Sequence, residues 1–331
     1  MASITSTVRG LRGSPLARLV VARLFSGLVT LAVISFVIYG AMELMPGDLA
    51  REVLKSHATE ETVAAFRQQL GLDRPFLERY LAWLGAALTG DFGRSLVSNV
   101  EVATLIGQRT LNSLFLAFLA ALLSIPLALS LGILSAIFRN SIFDRVTGFV
   151  TLTFVSLPEY ALGYLLLFLL AVKFGIFPSL SAVDPAMPFA ARLYQTFLPA
   201  LTLTLIVQAH MSRMTRASLI SLFRRPYIEM AELKGLSRSE VVTKHALPNA
   251  LGPIAVVVTL NTAYLVTGIV VIEAVFAYPG LGQLMVDSVA KRDITLVQAA
   301  SLIFATIYVS LNTLADVIGV ISNPRLLHAK P

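Results

Sequence analysis

The chain has 331 residues, 56% of them hydrophobic and 14% charged, with a mean hydropathy of +0.78. That balance falls outside soluble domains and suits a lipid solvent. Cysteine is absent, which excludes a disulfide framework, a thiolate nucleophile and any Cys-built metal or iron–sulfur site, and the net charge of +7 is distributed by membrane side rather than as a nucleic-acid-binding patch.

In chain order, six apolar runs predict transmembrane helices, because about 20 residues at about 1.5 Å each cross the hydrocarbon core. They are Leu19–Met42, Leu111–Phe138, Val146–Phe174, Phe197–Leu219, Pro253–Phe276 and Leu296–Ile321. The first follows a basic region but is too long for a secretory signal and has no small-residue cleavage site after it. The runs do not alternate as barrel strands would, so the expected class is all-α, one membrane domain over residues 19–321.

Orientation follows the Lys/Arg bias of the connections. The amino-terminal segment 1–18 and its flank hold Arg9, Arg12, Arg18 and Arg23 without an acid. The connection after the second run holds Arg139 and Arg145 against Asp144, and the one after the fourth holds Arg213, Arg216, Arg224, Arg225, Lys234, Arg238 and Lys244 against three glutamates. These are expected in the cytoplasm, with the tail 322–331. Glu43–Arg109 carries seven basic and nine acidic residues and is expected outside, as is 277–295. Within it, residues 45–110 read as a small external helical subdomain on the membrane surface, with helices near Glu60–Leu70 and Pro75–Leu88.

The connection 220–252 is the most patterned. A helix is expected over Tyr227–Lys234, ended by Gly235. A second is expected from Ser237, with Glu240 completing a capping box, to about His245. Pro248 and Pro253 are then expected to redirect the chain into the membrane.

Glu229, Met230 and Ala231, then Gly235, then His245, Ala246, Leu247 and Pro248 keep the spacing E-A-A, three residues, G, nine residues, I-x-L-P. In this the chain resembles the permease subunits of binding-protein-dependent ATP-binding-cassette importers, with Met230 and His245 as departures. MPGD at Met45–Asp48, GLD-RP at Gly71–Pro75, GDFGRS at Gly90–Ser95 and KGLS at Lys234–Ser237 narrow the resemblance to the dipeptide, oligopeptide and nickel branch. So do E-VF-YPGLG at Glu273–Gly282, Arg292-Asp293, Val297-Gln298 and Asn323–Arg325.

The resemblance implies a type I importer fold in a bacterial inner membrane, with both termini cytoplasmic. The chain would form half of a pathway for short peptides, or for nickel, glutathione, opines or oligosaccharides. Its implied partners are a second permease, two ATP-binding subunits, an external solute-binding protein and membrane lipid. ATP and Mg²⁺ would sit in the partner subunits, and no cofactor in this chain. The implied ATPase contact is Tyr227, Glu229, Ala231, Glu232, Lys234, Gly235, Leu236 and Pro248, where small Ala231 would admit a close partner.

Charges at membrane depth cost at least about 2.5–3.5 kcal/mol and so mark either function or a position at an interface or paired with a neighbouring helix; Glu159, His210, Glu273 and Asp316 qualify. Asn261, Thr262, Tyr264 and Thr267 can line a wet pathway or serve as helix glue, and the resemblance puts Glu273 near an external gate. No phosphate loop G-x-x-x-x-G-K-[ST] occurs and Gly280-Leu281-Gly282 is no dinucleotide site, so ATP hydrolysis is not expected of the chain itself. The four histidines form no HExxH pair, and without that or a G-x-S-x-G turn a membrane-embedded enzyme is disfavoured. A secondary transporter is the remaining rival.

Overall fold

The computed structural model describes residues 15–44, 59–69, 73–184, 186–237 and 240–322. The Met45–Asp48, Gly71-Leu72 and Asn323–Arg325 motif positions, the connection's Arg238 and most of both terminal segments lie outside them. Among the described residues the secondary structure is helical apart from one isolated bridge, Arg94 to Glu101. The helices are α1 Pro15–Glu43, α2 Glu60–Gln69, α3 Phe76–Leu88, α4 Val102–Ile137 and α5 Ile142–Ser156. Next come α6 Glu159–Leu166, which continues as a wide π turn over Leu167–Lys173, then α7 Phe189–Phe223 and α8 Pro226–Leu233. A second π turn, Val241–Ala246, leads into α9 Leu247–Val275, followed by α10 Leu281–Ala290 and α11 Ile294–Ser322.

Among the described residues five helices are long and apolar enough to cross a membrane: α1, α4, α7, α9 with its π turn, and α11. The expected third span, Val146–Phe174, is instead a bent pair, α5 and α6, meeting at 105°. The cause is Leu157-Pro158. Leu157 sits in extended backbone at ψ 133°, as a residue before proline must, and Pro158 has no N–H to continue the helix. Span ends also shift outward: α4 and α7 begin before, and α7 ends after, the apolar runs that announced them. The added turns carry Arg109, Arg192 and Gln195, polar side chains that a helix tolerates where it leaves the hydrocarbon.

The chain divides into two compact units. One contains Leu114–Tyr278 with the described residues up to Leu28 and from Ile307. Its core joins α4, α7 and α9 through Leu116, Leu198, Leu203, Met211, Leu265 and Ile272. Small residues bring backbones close: a Cβ at Gly132 of α4 would lie 2.6 Å from the Ser212 carbonyl and 2.8 Å from Thr215 Cβ on α7. Lipid supplies no hydrophobic drive between helices, so close packing of this kind must hold them. Arg23 of α1 pairs with Asp316 of α11 at 3.1 Å, which explains the intramembrane charge at 316.

The other unit contains Val29–Ser113 and Pro279–Thr306. Phe36 and Tyr39 of α1 meet Phe76, Tyr80 and Trp83 of α3 in ring contacts at 5.3–5.8 Å, and Ser35 Oγ bonds Tyr80 Oη at 2.8 Å. Two short motifs far apart in sequence meet here. Ser95 Oγ donates to the buried Asp293 carboxylate, as does Leu96 N–H at 3.2 Å. Gly90 and Gly93, at φ +86° and +76°, make the turn that brings Ser95 there.

Candidate functional site

The segment after α7 is built as a seat for one short helix. Pro226 stands in the first turn of α8, where its missing N–H costs nothing, behind extended Arg225. Gly235, at φ +80°, ends it. Its N–H bonds Glu232 O at 2.9 Å and the Leu236 N–H bonds Ala231 O at 3.3 Å, the paired closure of a Schellman cap. Ile228 and Ala231 are buried against Val241, Ala246, Phe223 and Leu236. Tyr227, Glu229, Met230, Glu232, Leu233, Lys234 and Gly235 are exposed.

Two expectations change here. Ala231 does not face outward: three residues from Ile228, it shares the inner face of α8, and its small side chain accommodates this chain's own helix. Pro248 and Pro253 do not redirect the chain either. Helix runs unbroken from Glu240 to Val275, and the wide turn Val241–Ala246 absorbs Pro248 by relaxing the backbone where its N–H is missing.

The Ser237 cap is made. Ser237 Oγ accepts from Glu240 N and the Ser237 N–H donates to Glu240 Oε2, each at 3.3 Å. Lys244 Nζ also donates to Glu240 Oε1 at 3.1 Å. That lysine, and then Ser237, hold the Glu240 carboxyl below its usual range.

A second polar group forms where the bent pair breaks. Glu159 opens α6, its charge favoured by the amino-terminal end of the helix. Tyr264 Oη of α9 donates to Glu159 Oε1 at 2.8 Å, and His210 of α7 lies against the Tyr264 ring at 5.7 Å between centroids. Gly268 admits the carboxylate, since a Cβ there would sit 3.2 Å from Glu159 Oε2. Tyr264 and Thr267 are exposed while Asn261 is buried, its amide donating to Val257 O at 2.8 Å. Thr262 is partly buried and bonds Val258 O at 2.9 Å. The four polar residues of α9 therefore split between two faces.

Glu273, on the last turns of α9, is fully buried, as is Tyr278 just beyond the helix. Burial pushes the Tyr278 phenol up to about 12, with Glu273 adding to the rise and Thr196 and Arg192 opposing it. Arg192 also lies over the Phe115 ring at 4.3 Å. Sequence reasoning missed Arg192 and Thr196 as partners of this group, having read both as parts of a connection. It also missed the pair Asp144–Arg216, bidentate at 2.6 and 2.8 Å, whose members had counted only as loop charges.

Comparisons with known proteins follow the same outline. The sequence profile of the binding-protein-dependent transport system inner membrane component matches residues 128–328, and that of the corresponding amino-terminal membrane component matches residues 16–115. The glutathione transport system permease proteins of Escherichia coli strain K12 and of Shigella dysenteriae serotype 1 are each 34% identical over 308 residues. The aligned stretch covers 93% of this chain and 98% of theirs.

Proposed function

The chain belongs to the family of binding-protein-dependent transport system inner membrane components, and from that premise we propose that it forms half of a translocation pathway for short peptides and takes up the motion of ATP-binding subunits at α8. It is a permease subunit of a binding-protein-dependent ATP-binding-cassette importer. The relatives named for glutathione support a peptide-like cargo, with glutathione itself the second reading. The partners we propose are a second permease, two ATP-binding subunits that hold ATP and Mg²⁺, and an external solute-binding protein. Both termini and α8 face the cytoplasm in this reading, and the α2–α3 region lies outside.

The observation that carries the coupling role is the construction of α8. Its inner face is pinned by Ile228 and Ala231, and its outer face presents Tyr227, Met230 and Leu233 beside Glu229 and Glu232. Exposed apolar side chains rimmed by charge mark a contact surface. Lys234, Gly235 and Leu236 close the helix, and Pro248 begins the rod that carries the motion onward. Displacement of α8 then drives the spans between inward-open and outward-open arrangements.

Because the chain has no cysteine, Met230→Cys gives a single reactive site. In the assembled transporter it should cross-link to an ATP-binding subunit with a yield that changes on nucleotide binding; no cross-link in any nucleotide state would overturn the coupling role. Along the pathway, Glu159, Tyr264 and Thr267 form the wet surface, Asn261 and Thr262 pack helices, and Glu273 with Tyr278 supports the gate. Glu159→Gln should lower uptake by the reconstituted transporter about tenfold, with ATP hydrolysis retained, and unchanged uptake would remove Glu159 from the pathway.

A further inference from the structure

Two adjoining cavities open at the end of the bundle where α5 begins and α7 finishes. One of about 550 Å³ is lined by Asn140, Asp144, Arg145, Gly148, Leu152 and Arg213, and one of about 400 Å³ by Arg139, Ser221 and Arg224, with Arg216 bordering both. Their charge is one-sided. Among the described residues Asp144 is the single carboxylate in either lining, and it is spent: Arg216 grips both of its oxygens, and the Asn140 N–H donates to Oδ2 at 2.9 Å. Among the described residues no carboxylate lies within ion-pair distance of Arg139, Arg145, Arg213 or Arg224, and all four are exposed.

The lining also changes character with depth. Arg145, Gly148 and Leu152 recur on one face of α5, and Leu152 lies about 10 Å along the helix from Arg145. Nothing stands within 4 Å of a Cβ built on Gly148, which leaves the groove open between them. Val146, Phe149 and Leu152 beside it are exposed apolar side chains on a membrane helix. A guanidinium-rich mouth above an open apolar slot matches a molecule with an anionic head and a hydrocarbon tail.

We propose that this groove binds an anionic glycerophospholipid, its phosphate held by Arg145 and Arg213 and its upper acyl chain lying over Gly148 against Leu152. An acidic loop of a protein partner would satisfy the arginines but would leave the slot below them empty.

The test uses the transporter purified from membranes with its co-purifying subunits, and native mass spectrometry with added dioleoylphosphatidylglycerol, dioleoylphosphatidylcholine or inorganic phosphate. The phosphatidylglycerol should stay bound at collision energies that strip phosphatidylcholine. Arg145→Ala with Arg213→Ala should lower its bound fraction by about fivefold per arginine, and the paired Lys replacements should restore most of it. Gly148→Leu, which fills the slot and changes no charge, should weaken phosphatidylglycerol and leave inorganic phosphate unaffected.

Equal retention of the two lipids overturns the proposal, as does phosphatidylglycerol retention unchanged in both the arginine and Gly148 variants. Inorganic phosphate binding as tightly as the lipid would make the groove a simple anion site, and the proposal fails. Loss of a subunit from the double alanine variant with lipid retention intact would assign the groove to a protein interface, which also overturns it.

Discussion

At Gly235 the backbone sits at φ +80°, a region where a Cβ costs about 1–2 kcal/mol. Gly235→Ala should therefore loosen the closure of α8. The amides of Gly235 and Leu236 should exchange hydrogen roughly fivefold faster or more, and unchanged exchange would show that the cap does not hold the segment. Asp144 and Arg216 pose a different problem. The Asp144 side chain is nearly buried and that of Arg216 is 35% exposed, so their pair lies between a surface contact at about 0–1 kcal/mol and a buried one at about 3–5 kcal/mol when broken. Asp144→Asn should cost roughly 2 kcal/mol, seen as a lower Tm of the purified transporter. Arg216→Lys should cost less, because it keeps the charge and loses only the second hydrogen bond.

Helices in this chain are held by approach as much as by polarity. Gly132 of α4 lies against the Ser212 carbonyl of α7, a backbone atom that no side-chain motion can relieve. Gly132→Val should force α4 and α7 apart at about 1–3 kcal/mol and lower the yield of assembled transporter. Gly148→Ala, into open space, should not. At this scale the apolar runs disclosed the existence of the spans but not their ends or the break in the third. Hydropathy reports only the turns at hydrocarbon depth, so Arg192 and Gln195 were read as connection although α7 includes them. The Leu157-Pro158 step was visible, yet proline in membrane helices is common enough that its 105° bend did not follow from the sequence. The Gly235 cap of α8 and the Ser237–Glu240 capping box of the next helix were legible because they act through neighbours only a few residues away. The inward turn of Ala231 was not, since which face a short helix buries depends on Val241 and Ala246, and the pairing of Ser95 with Asp293 joins residues that no local pattern connects.

For the whole molecule, the reading as one subunit of an ATP-driven importer makes a demand that a self-contained carrier would not meet. Reconstituted alone in liposomes, the chain should move no peptide. Uptake should appear only when ATP-binding subunits, a second permease and the solute-binding protein are added with ATP, and uptake by the chain alone would return it to the secondary transporters. A reporter fused after Pro331 should be active on the cytoplasmic side, as the basic connections require. The unbroken helix Leu247–Val275 gives this assembly a mechanical property. At about 1.5 Å per residue it is a rod of about 40 Å, continuous with the widened turn Val241–Ala246 that packs against Ile228 and Ala231 of α8. A tilt of about 5° about its base would carry the end that bears Glu273 through about 4 Å, roughly a water and a half. In the coupling role proposed for α8, such a rod would turn a small push at its base into a displacement comparable to the width of a peptide backbone at its tip.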